Sequence, residues 1–170
     1  VPPVAPDFFV HIFVPTIIQQ VKLKDAIKMR GFKHPLQEAV LNVMFTASWL
    51  KTATSQRLKR FGLSHEQYNV LRILRGSHPE ALGVGDITSR MIDRNSNTTR
   101  IIDKLAEKNL VRRCANPCDR REVKVHLTDD GAALLARTDA EMRFPVHSPL
   151  TDEEVRTLSD LLDRLRDAEF

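Results

Sequence analysis

The sequence predicts a mainly α fold with a single β-ribbon built into it, and three observations carry that prediction. Apolar residues recur at helical spacing in two stretches, Leu36, Val40, Val43, Ala47 and Leu50 near one end and Val155, Leu158, Leu162 and Leu165 near the other. Between them, residues 119–131 read Asp-Arg-Arg-Glu-Val-Lys-Val-His-Leu-Thr-Asp-Asp-Gly, alternating through Val123, Val125 and Leu127 before a helix start at Thr128. Leu110 to Cys114 supplies the other arm of a ribbon with Arg120 and Arg121 at its exposed turn. Thirdly, the polar run Asn95-Ser-Asn-Thr-Thr-Arg100 leads directly into Ile101, Ile102 and Leu105. A helix polar in its first turn and apolar beyond it, followed by a charged hairpin, is the pattern of a winged helix-turn-helix lobe.

Element by element, residues 1–33 form an N-terminal extension: three prolines in the first six positions, a hydrophobic stretch, then the basic segment Lys22 to Arg30. Its apolar part (Phe8, Phe9, Ile12, Phe13, Ile17, Ile18) is broken by Pro15 and has no basic residue before it, which argues against a signal peptide. The first apolar stripe predicts a long helix over about residues 35–59, ended by Gly62. Ser64 and Gln67 then make a capping box, with Leu63 placed to staple onto Tyr68, for a helix ending near Arg75 or Gly76. A loop through His78 and Pro79 leads to a short helix near Val84 to Met91, and a recognition helix follows over about residues 95–109. After the ribbon, Thr128 caps a helix with Asp129 and Asp130 in its first turn, where negative charge suits the helix dipole; Pro145 and Pro149 close it. Leu150, Thr151, Glu154 and Val155 repeat the capping box and staple for a last helix. Its two heptads are too short for an independent coiled coil but long enough to dock on a partner. Leu36, Val40 and Val43 with Val155, Leu158, Leu162 and Leu165 therefore define a symmetric helical dimer interface.

At 170 residues, with 42% hydrophobic and 28% charged residues, the chain is one domain's worth of globular protein. The absence of a membrane-length apolar run predicts no membrane partner. The net charge is +4, but its distribution is more telling. Residues 94–124 hold nine Lys or Arg against four acids, whereas residues 128–170 hold five against eleven. Such an arrangement presents helix and ribbon to phosphate and keeps the tail away from it.

The chemistry of Asn95, Ser96, Asn97, Thr98, Thr99 and Arg100 suits the major groove: Asn pairs with adenine, Arg with guanine, and Ser or Thr with bases or phosphate. Lys104 and Arg113 are expected on phosphate. Cys114 and Cys118, even with His126 opposite, offer too few ligands for a metal site, and two cysteines are no disulfide framework, which fits a reducing cytoplasm. Cys118 beside Arg120 and Arg121 has the setting of an oxidisable thiol, although incidental cysteines are the commoner case. With no Gly-rich phosphate loop, no metal-spaced His cluster and no nucleophile with a base, no enzyme and no cofactor are expected.

Thr99 to Arg113, followed by Asp119, Arg121, Val125, Leu127, Thr128 and Gly131 in the pattern Asp-x-Arg then Val-x-Leu-Thr-x-x-Gly, resembles the MarR (multiple antibiotic resistance regulator) family. The resemblance spans roughly residues 34–168. It implies a winged helix-turn-helix DNA-binding lobe over 63–128 and dimerisation helices over 34–60 and 145–170. It also implies a homodimeric, ligand-responsive repressor on a pseudo-palindromic operator. The family pattern places Arg121 in the minor groove, Asp119 as its orienting partner and Arg120 on phosphate. A small phenolic or anionic effector would bind near Phe45, Trp49 and Tyr68, for which core packing is the commoner role. The competing reading is a winged-helix protein-interaction module without specific DNA binding.

Overall fold

The computed structural model describes residues 22–115, 123–142 and 149–167. A short helix α1 (Leu23–Ala26) precedes the long α2 (Pro35–Leu58), which begins on a proline, a residue whose missing N–H costs nothing in the first turn. A 3-10 turn, Lys59–Phe61, ends at Gly62 with φ +64°, and Leu63 donates its backbone N–H back to Leu58 at 3.1 Å. That left-handed glycine lets the chain reverse into α3 (His65–Ser77). The predicted capping box is present, with Ser64 accepting from Gln67 N at 3.2 Å and Gln67 Oε1 from Ser64 N at 3.0 Å.

Strand β1 (Leu82–Gly83) leads into α4 (Val84–Arg90), and α5 (Thr98–Glu107) follows. Asn109, at φ +57°, closes α5: its N–H reaches the Ala106 carbonyl at 2.9 Å, and the Leu110 N–H reaches Leu105 at 3.0 Å. Strands β2 (Val111–Ala115) and β3 (Val123–Leu127) pair antiparallel with Arg113 opposite Val125. The sheet order is β1-β3-β2, so the expected two-stranded ribbon has a third strand, with Leu82 opposite Val125. A two-residue strand has no periodicity to read; only its partner defines it.

One core organises these pieces. Val70, Leu71 and Leu74 of α3 meet Ile87 of α4, Ile102 and Leu105 of α5, Val125 of β3 and Leu135 of α6 (Asp129–Glu141), all essentially solvent-free. Each such side chain contributes about 1.5–3 kcal/mol of burial. The motif glycine is explained here. Gly131 lies in the first turn of α6, where a Cβ would collide with the Leu110 carbonyl oxygen and approach Leu127 Cδ1 to 2.9 Å. Thr128 seats the same turn: its N–H bonds Leu110 O at 3.2 Å, its hydroxyl donates to Asn109 O at 2.7 Å, and it accepts from Gly131 N at 3.0 Å.

The two apolar stripes stay outside this core. Leu36, Val43 and Leu50 of α2 are exposed, Val40 is half-buried, and only Leu58 enters the lobe fully. Helix α7 (Asp152–Arg166) carries the predicted Thr151–Glu154 capping box. Its Val155, Leu158 and Leu161 are about half exposed, with Leu162 and Leu165 half-buried. No helix among the described residues is long and apolar enough to cross a membrane.

Candidate nucleic-acid interface

The first turn of α5 is smaller than the sequence pattern indicates. Asn97 is the N-cap, its side-chain oxygen accepting from Arg100 N at 3.1 Å, so Asn95 and Ser96 belong to the preceding turn rather than to the helix. Asp93 organises that turn by accepting from Asn95 N at 3.2 Å. Thr98 corrects an expectation: it is only 4% exposed, and its hydroxyl turns back to the Ser96 carbonyl at 3.4 Å. It shares the inward i, i+4, i+7 face with Ile102 and Leu105, a spacing visible in the sequence. The face turned outward carries Thr99, Arg100 and Lys104, all exposed.

An open groove of about 680 Å³ runs between the start of α3 and α5, bordered by Ser64, Gln67, Asn97, Arg100, Lys104 and Lys108. Lys108 ties its two sides together: the ammonium donates to Gly62 O at 2.5 Å and lies 3.5 Å from Gln67 Oε1, joining the end of α5 to the α2–α3 reversal. Lys51 of α2 lies 3.6 Å from Glu66 and 3.9 Å from Asp93. Glu66 is held below the usual carboxylate range by a hydrogen bond with its own backbone N–H, against the opposing effect of burial, and by Ser64 and Lys51.

Arg113 on β2 forms an ion pair with Asp103 of α5, so the first arm of the wing is tied to the recognition helix and its guanidinium is not simply offered to solvent. The neighbouring Arg112, like Arg94 before the helix, is exposed. Asp119, Arg120, Arg121 and Cys118 lie outside the described residues; Cys114 is a free, half-buried thiol. Among the described residues no cluster of His, Cys, Asp or Glu could hold a metal ion.

The aromatic residues divide. Phe45 and Trp49 are half-buried on α2, whereas Tyr68 is buried in α3, its phenol donating to Asp139 Oδ1 of α6 at 2.5 Å. Asp139 also pairs with Arg75, and the Arg72 guanidinium stands 5.8 Å from the Tyr68 ring centroid. Burial, then the Asp139 hydrogen bond, raises the Tyr68 pKa. Burial opposes ionisation of Asp139, but hydrogen bonds from Tyr68 and Arg75 and the charges of Arg75 and Arg72 outweigh it and hold its carboxyl low. Sequence reading missed Lys108, Asp103 and Asp139 as organising residues. The only signal for the last was that Tyr68, Arg72 and Arg75 share one face of α3.

A helix presenting Thr99, Arg100 and Lys104, buttressed by α3 and followed by an antiparallel ribbon, defines a winged helix-turn-helix protein. The MarR family model matches residues 63–123. The HTH-type transcriptional regulator PecS of Dickeya dadantii is 31% identical over 117 residues, 66% of this chain and 70% of that protein. A MarR transcription factor from Planctomyces limnophilus superposes with a TM-score of 0.59 at 34% identity, covering 81% of this chain and 94% of that one. A cysteine-to-serine mutant of MarR from E. coli, complexed with operator DNA, superposes at 0.63 with 25% identity over 73% of this chain and 91% of that one. The chain belongs to the MarR family, whose members matched here are transcription regulators rather than enzymes.

Proposed function

We propose that this protein is a homodimeric, ligand-responsive transcriptional repressor that reads a pseudo-palindromic operator in the cytoplasm. The carrying observation is the outward face of α5, where Thr99, Arg100 and Lys104 are exposed beside the Arg113 arm of the wing. Arg100 and Thr99 address base edges; Ser96 and the remaining amide donor of Asn97 lie at the same end. Lys104 and Arg113 contact phosphate, Arg121 enters the minor groove with Asp119 orienting it, and Arg120 adds a phosphate contact.

The apolar stripes of α2 and α7 supply the dimer, through Leu36, Val40 and Val43 and through Val155, Leu158, Leu162 and Leu165. Association sets two recognition helices one DNA turn, roughly 34 Å, apart. A small phenolic or anionic effector binds between the dimerisation helices and the lobe, against Phe45 and Trp49. Tyr68 contributes there by its ring edge, since its hydroxyl already serves Asp139.

Selection of duplexes from a random pool tests the reading: it expects an enriched inverted repeat bound with a steep loss of affinity as salt rises. Equal binding to random duplex at all salt concentrations would instead leave an interaction module. Replacing Leu158 and Leu162 by Asp is expected to abolish both the dimer and specific binding. A folded monomer in sedimentation that binds the repeat at parental affinity would refute the dimer.

A further inference from the structure

Helix α6 is attached to the lobe at two places. Its first turn is seated on Leu110 and Asn109 through Thr128 and Gly131. Its far half is seated on α3, where Leu135 and Thr138 are fully buried and the Asp139 carboxylate takes one oxygen to Tyr68 and the other to Arg75. Those two donors lie two turns apart on α3, at positions i and i+7. Apolar packing at Leu135 fixes how close α6 lies to α3 but resists sliding weakly. A carboxylate held from two directions fixes where along α3 it lies.

We propose that Asp139 is a positioning residue for operator binding: its bond from Tyr68 and its ion pair with Arg75 fix the angle at which α6 leaves the DNA-binding lobe, and thereby the separation of the two recognition helices. The proposal rests on the dimeric operator reading above. The lever is short. Asp139 stands eight residues, about 12 Å, beyond Gly131, so a slack of about 1 Å at Asp139 is a rotation of about 5°. A turn of this size at α6 displaces each recognition helix in proportion to its distance from α6, in opposite senses in the two protomers of a two-fold dimer. The operator reads that spacing in steps of one base-pair rise, about 3.4 Å.

The test uses the full chain and a duplex selected from random DNA by the parent protein, with and without one base pair inserted at its centre. The parent is expected to discriminate against the insertion, and Asp139→Ala to reduce that discrimination by about tenfold while remaining a dimer in sedimentation. Tyr68→Phe and Asp139→Asn, each removing part of the attachment, are expected to fall between. A residue that only stabilised the fold would lower the unfolding midpoint and weaken both duplexes equally, leaving their ratio untouched. A parental ratio in Asp139→Ala overturns the proposal. Should Asp139→Ala fail to fold, Asp139→Asn and Arg75→Gln decide the question, and failure of all three to fold overturns it too, since stability would be the residue's whole role. A parent protein that ignores the insertion overturns the dimeric operator reading, and this proposal with it.

Discussion

Gly131→Ala is the most direct probe of how the wing is joined to the rest of the molecule. The added methyl would overlap the Leu110 carbonyl oxygen and crowd Leu127 Cδ1 at 2.9 Å. The oxygen is backbone, so relief requires α6 to retreat by more than about 1 Å to reach van der Waals distance. Retreat stretches the 3.2 Å bond from Thr128 N to the same oxygen and the 2.7 Å bond from the Thr128 hydroxyl to Asn109, at about 1 kcal/mol each. Overpacking against Leu127 adds about 1–3 kcal/mol, and the better helix propensity of alanine returns less than about 1 kcal/mol in a first turn. The expected net loss is about 2–4 kcal/mol, a fall of roughly 5–15 °C in the unfolding midpoint for a chain of this size. Thermal unfolding followed by circular dichroism measures it. An unchanged or raised midpoint would refute the reasoning, because it would mean that α6 is not seated on Leu110.

Arg121→Ala should weaken binding to the selected operator by about 1–3 kcal/mol with the midpoint unchanged, and parental affinity at moderate salt would remove the wing contact. Arg100→Ala should change which base pairs are selected, whereas Asn97→Ala, which removes the cap of α5, should also cost about 1 kcal/mol of stability; an unaltered binding-site preference in Arg100→Ala excludes base reading by that residue. Lys104→Ala should reduce the salt dependence of binding by about one phosphate contact, read from the slope of log affinity against log salt. The depressed pKa of Asp139 makes its stabilisation fully present above the unfolded-state value of about 3.9 and lost as pH falls through the lower folded-state value. The difference in midpoint between the parent and Asp139→Asn should therefore be constant near neutrality and shrink only below about pH 4; a difference independent of pH down to strong acid would contradict the ionised assignment.

Periodicity, caps and turn residues located α2, α3, α4, α6 and α7 from the sequence alone, because each is a local signal; α1 was not read, and α5 begins three residues later than its polar run suggests. The start of α3, the Ser64 and Thr151 capping boxes and the Thr128 cap stand where side-chain chemistry put them, while α3 runs on to Ser77, just past the expected end near Arg75 or Gly76. The polar start of α5 and the basic stretch around the wing were equally legible, since charge and hydrogen-bonding capacity are properties of residues. What the sequence did not determine is direction and partner. Thr98 turns inward with Ile102, β1 exists only because β3 lies beside it, and Gly131 is required because the Leu110 carbonyl passes over it. Asp103 with Arg113, Lys108 with Gly62, and Asp139 with Tyr68 and Arg75 join residues 10 to 71 positions apart. Chain closure between such positions is decided by the packing of the whole lobe, and no local pattern records it.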